Sequence, residues 1–127
     1  MYSESQRREI IAIAERDLSA AIRSGDPRRI AAERSNASNA LIAVTQYTWR
    51  GAEALRSMIY APIISITYDK DTGEATIARR DPATGRKYET IGNYLDQEET
   101  RWTATAERRE TPYKVIWTPR REAHTDD

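Results

Sequence analysis

The chain has 127 residues, the length of one domain, and its 20 basic side chains balance its 20 acidic ones. Because the charges balance in both halves of the chain, a bulk electrostatic attraction to nucleic acid is not expected. The absence of cysteine excludes disulfides, thiol catalysis and cysteine-ligated metals, and with no membrane-spanning run or signal peptide visible it favours a cytoplasmic protein without a membrane partner.

The first predicted element is a helix that begins at a capping box formed by Ser3 and Gln6. The helix is expected to end near Gly25, since glycine readily adopts the left-handed conformation that closes a helix. Between these points, apolar residues recur on one face, at Ile11, Ala14, Leu18, Ala21 and Ile22.

The second predicted helix begins at Asp26-Pro27, because aspartate caps free N–H groups and proline fits the first helical position. Apolar residues at helical spacing extend it to about Met58, a length of about 48 Å. The two helices should form an antiparallel hairpin over residues 3–59. Part of the second helix would extend beyond the first, so we predict a homo-oligomer joined through this helix.

After Pro62 the pattern changes to short runs of β-branched and aromatic residues, separated by turns that contain glycine and proline. Five antiparallel strands are predicted, at residues 63–68, 74–80, 86–95, 101–107 and 113–118. Residues 96–99 are predicted to be an acidic loop between the third and fourth strands. The fold class is therefore α+β in a single domain, with a helical hairpin in residues 1–60, a five-stranded antiparallel β meander in 61–119 and a polar tail in 120–127.

The hydrophobic core of this domain should be thin. Isoleucine, leucine and valine number 13, 4 and 2, and there is no phenylalanine, which is below the usual content of a well-filled core. The zero net charge and the periodic placement of the apolar residues argue against disorder. We expect tyrosine, tryptophan, alanine and an oligomer interface to complete the core.

Few residues suit catalysis or metal binding. The only histidine, His124, lies in the predicted tail, so a Ser-His-Asp device or a histidine metal site is not expected. Asp96, Glu98 and Glu99 could supply paired carboxylates for acid–base chemistry, but such a run is typical of a solvated surface. We therefore predict no catalytic residue, no metal and no cofactor, and an enzyme using these carboxylates is the third class considered.

Arginine is the most informative residue type, with 17 copies against three lysines. Guanidinium groups bind phosphate through paired hydrogen bonds, and an adjacent aromatic ring can hold a base, so the combination suits a nucleotide. The β unit interleaves the two residue types, as in Arg79, Arg86, Tyr88, Trp102 and Arg109. In the alternative interpretation, the arginines pair across the sheet with acids, namely Asp81, Glu89, Glu107 and Glu110.

Two polar stretches allow more than one interpretation. Residues 33–39 are small and polar within the second helix, and they form either a solvated or closely packed turn or a polar patch at a subunit seam. In the second stretch, Gly92 permits a close backbone approach, and the amide of Asn93 could read a base or ribose. A β-bulge is the alternative explanation for this glycine.

The layout of a helical hairpin with one overlong helix, followed by a small antiparallel β unit in 127 cysteine-free residues, resembles a family of phage anti-Thoeris proteins. The resemblance implies a sponge that traps a cyclic ADP-ribose signal of the host defence system without cleaving it, and that assembles through its long N-terminal helices. It also implies a ligand held near the β unit by arginine, an aromatic residue and a polar amide. The counterparts in this chain are Arg28, Asn93 and Arg109, with Trp102 or Tyr88 as the aromatic residue.

We therefore expect a non-enzymatic protein that sequesters a small phosphorylated (cyclic) nucleotide, in the host cytoplasm if the protein is phage-encoded. The alternative is a protein-binding inhibitor or adaptor that acts through its sheet or its long helix. Arg108 is expected to point to the face opposite Arg109 and to take no part in binding. The predicted ligand-binding residues are Arg28, Arg79, Arg86, Tyr88, Asn93, Trp102 and Arg109.

Overall fold

Helices precede an antiparallel sheet in the computed structural model, which describes residues 2–44 and 50–120. The α-helices are α1 (Glu4–Ser24), α2 (Pro27–Val44), α3 (Glu53–Ile59) and α4 (Gln97–Thr105), and a 3-10 helix (Arg50–Ala52) directly precedes α3. The strands are β1 (Ile63–Asp69), β2 (Ala75–Arg80), β3 (Lys87–Gly92), β4 (Glu107–Glu110) and β5 (Lys114–Thr118). The predicted α+β class, with N-terminal helices and a five-stranded antiparallel sheet, is confirmed.

Helix α1 begins and ends where the sequence predicts. The Ser3 hydroxyl accepts a hydrogen bond from the Gln6 backbone N–H at 3.2 Å, and the Gln6 side chain accepts one from the Ser3 N–H at 2.8 Å. At the other end, Gly25 adopts φ 71°, and its N–H donates to the Ile22 carbonyl. These local contacts satisfy backbone groups that the helix itself leaves unpaired.

The prediction of one helix from Asp26 to about Met58 is wrong, because α2 ends at Val44 and a separate α3 begins after the 3-10 helix. Residues 45–49 lie outside the described part of the chain. Gly51 borders Ile11 of α1, and the Ser19 hydroxyl donates to the Met58 sulfur at 3.5 Å. Helix α3 therefore runs in the same direction as α1 and antiparallel to α2.

This reversal lets the chain bury its own apolar stripe. Ala52, Leu55 and Ile59 are buried in one cluster with residues of α1 and α2 such as Leu18 and Ile30. A straight helix of about 48 Å would have left α3 without a partner in the same chain. The unpartnered length that motivated the predicted oligomer is therefore taken up within the described chain.

The sheet is not a simple meander. Strands β1, β2 and β3 are consecutive antiparallel neighbours, but the full order is β3-β2-β1-β5-β4. The chain leaves β3, passes through α4 and returns so that β5 pairs with the free edge of β1, which places β4 at the outer edge. The predicted turns at residues 69–73 and 81–85 are confirmed, with Gly73 at φ 74° and Gly85 at φ 69°.

The predicted fourth strand at residues 101–107 is wrong, because residues 97–105 form α4. The Asp96 carboxylate accepts from the Glu99 backbone N–H at 2.7 Å, and Glu99 accepts from the Asp96 N–H at 3.0 Å. This reciprocal capping box stabilises the start of a helix. The alternation of Trp102 with small residues, which predicted a strand, is the weaker signal. The segment predicted to be an acidic loop is therefore the start of a helix, and β4 follows it at Glu107–Glu110.

One face of the sheet packs against the helices. Ile66 pairs in register with Ile77 and Trp117, and Ile77 pairs with Thr90, so these residues form a row across the strands. Trp102 of α4 packs against this row, and α2 contacts β3. The side chains at this junction of α2, α4 and β3 determine the candidate sites.

Candidate functional site

Five charged residues form a network between the helices and the sheet, which we call the clamp cluster. It consists of two arginines and three carboxylates, and these are Arg34, Arg79, Asp96, Glu98 and Glu99. The capping box at the start of α4 fixes Asp96 and Glu99, α4 also contributes Glu98, and α2 and β2 contribute the arginines. Its members are far apart in sequence, so the cluster is a product of the tertiary fold.

Arg79 lies at the centre of the clamp cluster with 0% of its surface exposed. Its guanidinium donates to the Ala61 carbonyl at 2.7 Å, to Glu98 at 2.7 Å and to Glu99 at 3.2 Å. Burial by itself lowers the pKa of Arg79, but the hydrogen bonds and charges of Glu98 and Glu99 more than offset this effect, so the pKa lies above its ordinary value. Arg79 is therefore a structural cation, and the prediction that it binds ligand has no support in its surroundings.

Arg34 reaches the same carboxylates from α2. Its Nε donates to the Ile59 carbonyl at 2.7 Å, and its terminal nitrogens lie 3.3 Å from Asp96, 3.4 Å from Glu98 and 3.5 Å from Glu99. The clamp cluster carries two positive and three negative formal charges. It therefore pairs both arginines with carboxylates and keeps one excess negative charge, although the buried Nε of Arg79 has no hydrogen-bond partner.

The first candidate site is a cavity of about 280 Å³ where α2, β3 and α4 meet, which we call the α2–β3 groove. Small polar side chains of the predicted 33–39 stretch form one wall, namely Ser35, Ser38 and Asn39. Thr90, Ile91 and Gly92 of β3 form the opposite wall. Tyr94, which is 81% exposed, lies at the rim, and Arg34, Asp96 and Glu99 of the clamp cluster border the groove.

The second candidate site is a cavity of about 200 Å³ that we call the basic hollow. Ser19, Ile22 and Arg23 at the end of α1 line it, together with Met58 of α3 and with Asp81, Thr84 and Arg86 of the β2–β3 turn. Arg23 and Arg86 are exposed, and neither side chain makes a hydrogen bond or ion pair with another described residue. The basic hollow therefore presents two guanidinium groups that have no carboxylate partner in the described chain.

Asp81 does not neutralise these arginines directly. It is buried, and its two carboxylate oxygens accept from the Ala83 N–H at 3.1 Å and from the Thr84 hydroxyl at 3.0 Å. Both carboxylate oxygens of Asp81 therefore accept hydrogen bonds from groups of its own turn. The charged residues that line the basic hollow sum to one formal positive charge.

The predicted ligand residues do not form one site. Arg86 lines the basic hollow. Arg28 pairs with Glu74 at 2.6 Å, and Asn93 is exposed just after Gly92, whose register partner Ala75 follows Glu74. Arg28 and Asn93 therefore lie near the same end of β3, while neither lines the α2–β3 groove or the basic hollow.

The two predicted aromatic residues belong to the core. Tyr88 is buried, and its hydroxyl donates to the Met58 carbonyl at 2.5 Å. Burial raises the pKa of this hydroxyl, and the charges of Arg79 and Arg34 act in the opposite direction. Trp102 packs from α4 onto the sheet. The Tyr88 ring is therefore not placed to stack on a ligand, whereas Trp102 is half-buried and also lines a cavity with Arg101. Tyr94, which the sequence interpretation did not select for stacking, is exposed.

Arg108 and Arg109 lie on opposite faces of β4, as predicted, since their register partners are the adjacent residues Trp117 and Ile116. Arg108 donates to Glu110 at 2.7 Å, but this contact is between residues of the same strand and is not the predicted pairing across the sheet. Arg109 is exposed at the outer edge and lines neither the α2–β3 groove nor the basic hollow. It serves below as a control.

Three residues of the candidate sites were missed by the sequence interpretation. Arg23 follows the apolar stripe of α1, and Thr90 belongs to a strand, so neither carries a local signal. Arg34 was seen only as part of the polar 33–39 stretch. One local signal could have located the carboxylates of the clamp cluster. The D-x-x-E pattern that begins at Asp96 is typical of a capping box, and it would have predicted that these carboxylates lie at the start of a helix.

Comparisons with protein-family models, with curated proteins and with solved structures found no match for this chain. No helix in residues 2–44 or 50–120 combines the length and apolar character needed to cross a membrane. Within the same residues, no group of three or more histidine, aspartate or glutamate side chains is arranged to hold a metal ion. His124 lies outside the described residues.

Proposed function

We propose that the chain is a non-enzymatic binding protein that sequesters a small phosphorylated ligand of the nucleotide class. The observation that carries this proposal is the pair of unpartnered guanidinium groups, Arg23 and Arg86, at one cavity. Arginine forks bind phosphate oxygens by charge-assisted hydrogen bonds, each worth about 1.5–3 kcal/mol. Ser19 and Thr84 supply hydroxyl groups at the same cavity, and Ile22 and Met58 supply apolar surface for a base or ribose.

The clamp cluster supports placing the phosphate at the basic hollow rather than at the α2–β3 groove. Arg34 is the arginine that lines the groove, and its donors already face three carboxylates. A phosphate there would compete with these carboxylates and meet their negative charge. At the basic hollow, a phosphate would instead form ion pairs with arginines that have no carboxylate partner in the described chain.

The proposal is tested by calorimetric titration with AMP and with adenosine, which differ only in the phosphate. AMP should bind more tightly than adenosine, and Arg23→Ala or Arg86→Ala should weaken AMP binding by about ten- to a hundredfold. Arg109→Ala is the matched control, since this arginine is exposed and lies outside the basic hollow, and this variant should bind AMP normally. Equal affinity for AMP and adenosine, or normal binding by both hollow variants, would contradict the proposal.

Sequestration without turnover is tested separately with cyclic and linear nucleotides. The protein is loaded with each nucleotide and heated, and the released compound is analysed by mass. Recovery of the intact nucleotide supports a sponge, whereas a changed mass identifies an enzyme.

A protein-binding role, including self-association through α2, is the second candidate. Ile42 of α2 is 74% exposed, and Tyr113 beside β5 is also exposed. Large apolar side chains at the surface are common in contacts between proteins. Failure of every nucleotide to bind, together with a particle mass in light scattering well above the 14.5 kDa of one chain, would favour this role.

A further inference from the structure

The α2–β3 groove has features that the proposed phosphate site does not explain. It shares no lining residue with the basic hollow, so it can be considered independently. Its volume of about 280 Å³ is close to the lower end of the range for small-molecule sites, which begins at about 300 Å³. The walls supply hydroxyl and amide groups from two different elements, α2 and β3.

One polar residue of the groove is nearly buried, while its hydroxyl is accessible from the groove. Thr90 is 5% exposed, and its hydroxyl makes no hydrogen bond with another described side chain or backbone group. A hydroxyl that lines a cavity can hydrogen-bond to water or to a ligand held there. Thr90 lines the groove, so a ligand there would give its hydroxyl the partner that the described chain does not provide.

The charge at this site is negative. The clamp cluster borders the groove and has three carboxylates against two guanidinium groups. Asp96 is the most accessible of its carboxylates, with a side chain 40% exposed. One of its oxygens accepts from the Glu99 N–H, while the other has only a long contact of 3.3 Å to Arg34. One ammonium group at this point would neutralise the cluster.

The rim offers an aromatic face as well. Tyr94 borders the groove and is 81% exposed. An ammonium group near an aromatic ring is attracted by the negative face of the ring, and this attraction adds to that of the carboxylate. A phosphate or carboxylate ligand would meet repulsion from Asp96 and Glu99 instead.

We infer that the α2–β3 groove is a binding site for a small primary ammonium compound. The ammonium group contacts Asp96 and the Thr90 hydroxyl, Tyr94 covers it from the rim, and the polar wall formed by Ser35, Ser38 and Asn39 holds the rest of the molecule. The site is therefore opposite in charge preference to the basic hollow. Its existence does not depend on phosphate binding elsewhere in the chain.

Three probes of equal chain length test the preference for charge. These are 4-aminobutan-1-ol, 1,4-butanediol and 4-hydroxybutanoate, which present an ammonium, a hydroxyl and a carboxylate group at the same position. Titrations followed by amide NMR should show tightest binding for the amine, by about tenfold over the diol, and weakest for the acid. The shifted amides should include those of Thr90, Gly92 and Tyr94. Equal binding of amine and diol, or shifts confined to other regions, would overturn the inference.

Two conservative variants identify the groups that bind the amine. Asp96→Asn keeps a side-chain oxygen for capping α4 but removes the excess charge, and it should weaken amine binding by about tenfold. Thr90→Val keeps the β-branched shape and removes only the hydroxyl, so it should weaken amine binding several-fold without lowering the melting temperature. Normal amine binding in both variants would overturn the inference.

Glu89→Gln is the matched control for charge. Glu89 is exposed on the strand that carries Thr90, but it lies outside the groove. This variant should bind the amine as the unmodified protein does. If it weakens binding as much as Asp96→Asn, the attraction comes from the general surface charge and the groove is not a specific site. AMP binding by the same variants, measured in parallel, reports on the basic hollow alone.

Discussion

Two pairs of arginines in this protein have opposite surroundings. Arg34 and Arg79 lie between the helices and the sheet, and each faces carboxylates of α4. Arg23 and Arg86 lie at a surface cavity, and neither has an ion-pair partner among the described residues. A buried guanidinium must be paired to offset its lost hydration, whereas an exposed one can remain bound to water until a ligand replaces that water.

The comparison shows that position along a strand does not reveal the role of an arginine. Arg79 and Arg80 are adjacent in β2, but the first is fully buried and the second is exposed and donates to the Gly85 carbonyl at 2.8 Å. Successive side chains of a strand point to opposite faces, and only one face of this sheet is covered by helices. The covering element therefore decides which arginine becomes structural.

The largest expected effect is the loss of the interior cation. Arg79→Met should lower the free energy of unfolding by about 3–5 kcal/mol, because Glu98 and the buried Glu99 would lose their closest cation. Arg80→Met is the matched control and should change this free energy by less than about 1 kcal/mol. Chemical denaturation of both variants measures the difference. Similar losses in the two variants would show that the surroundings of the two arginines do not differ in energy as the structure indicates.

A smaller effect is expected where the same interface uses a neutral hydrogen bond. Tyr88→Phe removes the bond from the hydroxyl to the Met58 carbonyl and should lower the free energy of unfolding by about 0.5–1.5 kcal/mol. Because burial raises the pKa of Tyr88, its contribution should be complete below the ordinary tyrosine pKa and be lost as the pH rises towards the raised value. Denaturation at several alkaline pH values measures this loss.

Tyr60→Phe provides the control for that measurement. Tyr60 is exposed just after α3, so the loss of its hydroxyl should leave both the stability and its pH dependence unchanged. If Tyr88→Phe behaves like Tyr60→Phe, the bond to Met58 does not contribute to stability. AMP binding should be normal in both variants, since neither ring lines the basic hollow.

The smallest effect is expected at an ion-pair group on the surface of the sheet, around Glu110. Hydrogen bonds from Lys70 and Arg108 hold the pKa of Glu110 below its ordinary value. Its small contribution to stability is therefore present above the ordinary glutamate pKa and is lost as the pH falls through the lowered value. An NMR titration should show the lowered pKa, while Glu110→Gln should lower the melting temperature only slightly at neutral pH. A clear drop in melting temperature for Glu110→Gln would show that this surface pair contributes to stability as strongly as the interior arginines do.

Local sequence was sufficient for the features that depend on neighbouring residues. The ends of α1, the turns containing Gly73 and Gly85 and the succession of helices and then strands were all predicted correctly. The wrong predictions concern segments whose sequence fits two secondary structures or two packing partners. Residues 101–105 alternate like a strand but follow a capping box, and residues 53–59 continue the helical period of α2 but pack back along α1.

The sequence by itself determined the α+β class, because helix caps, turn glycines and hydrophobic periods act over a few residues. The tertiary structure decided where α3 turns back, which edge of β1 receives β5 and which arginines become buried. These outcomes depend on contacts between residues distant in sequence, such as Arg34 with Glu98 and Arg79 with Ala61. Burial makes such contacts necessary, because a charge that has lost its hydration destabilises the fold unless an oppositely charged or hydrogen-bonding group lies beside it.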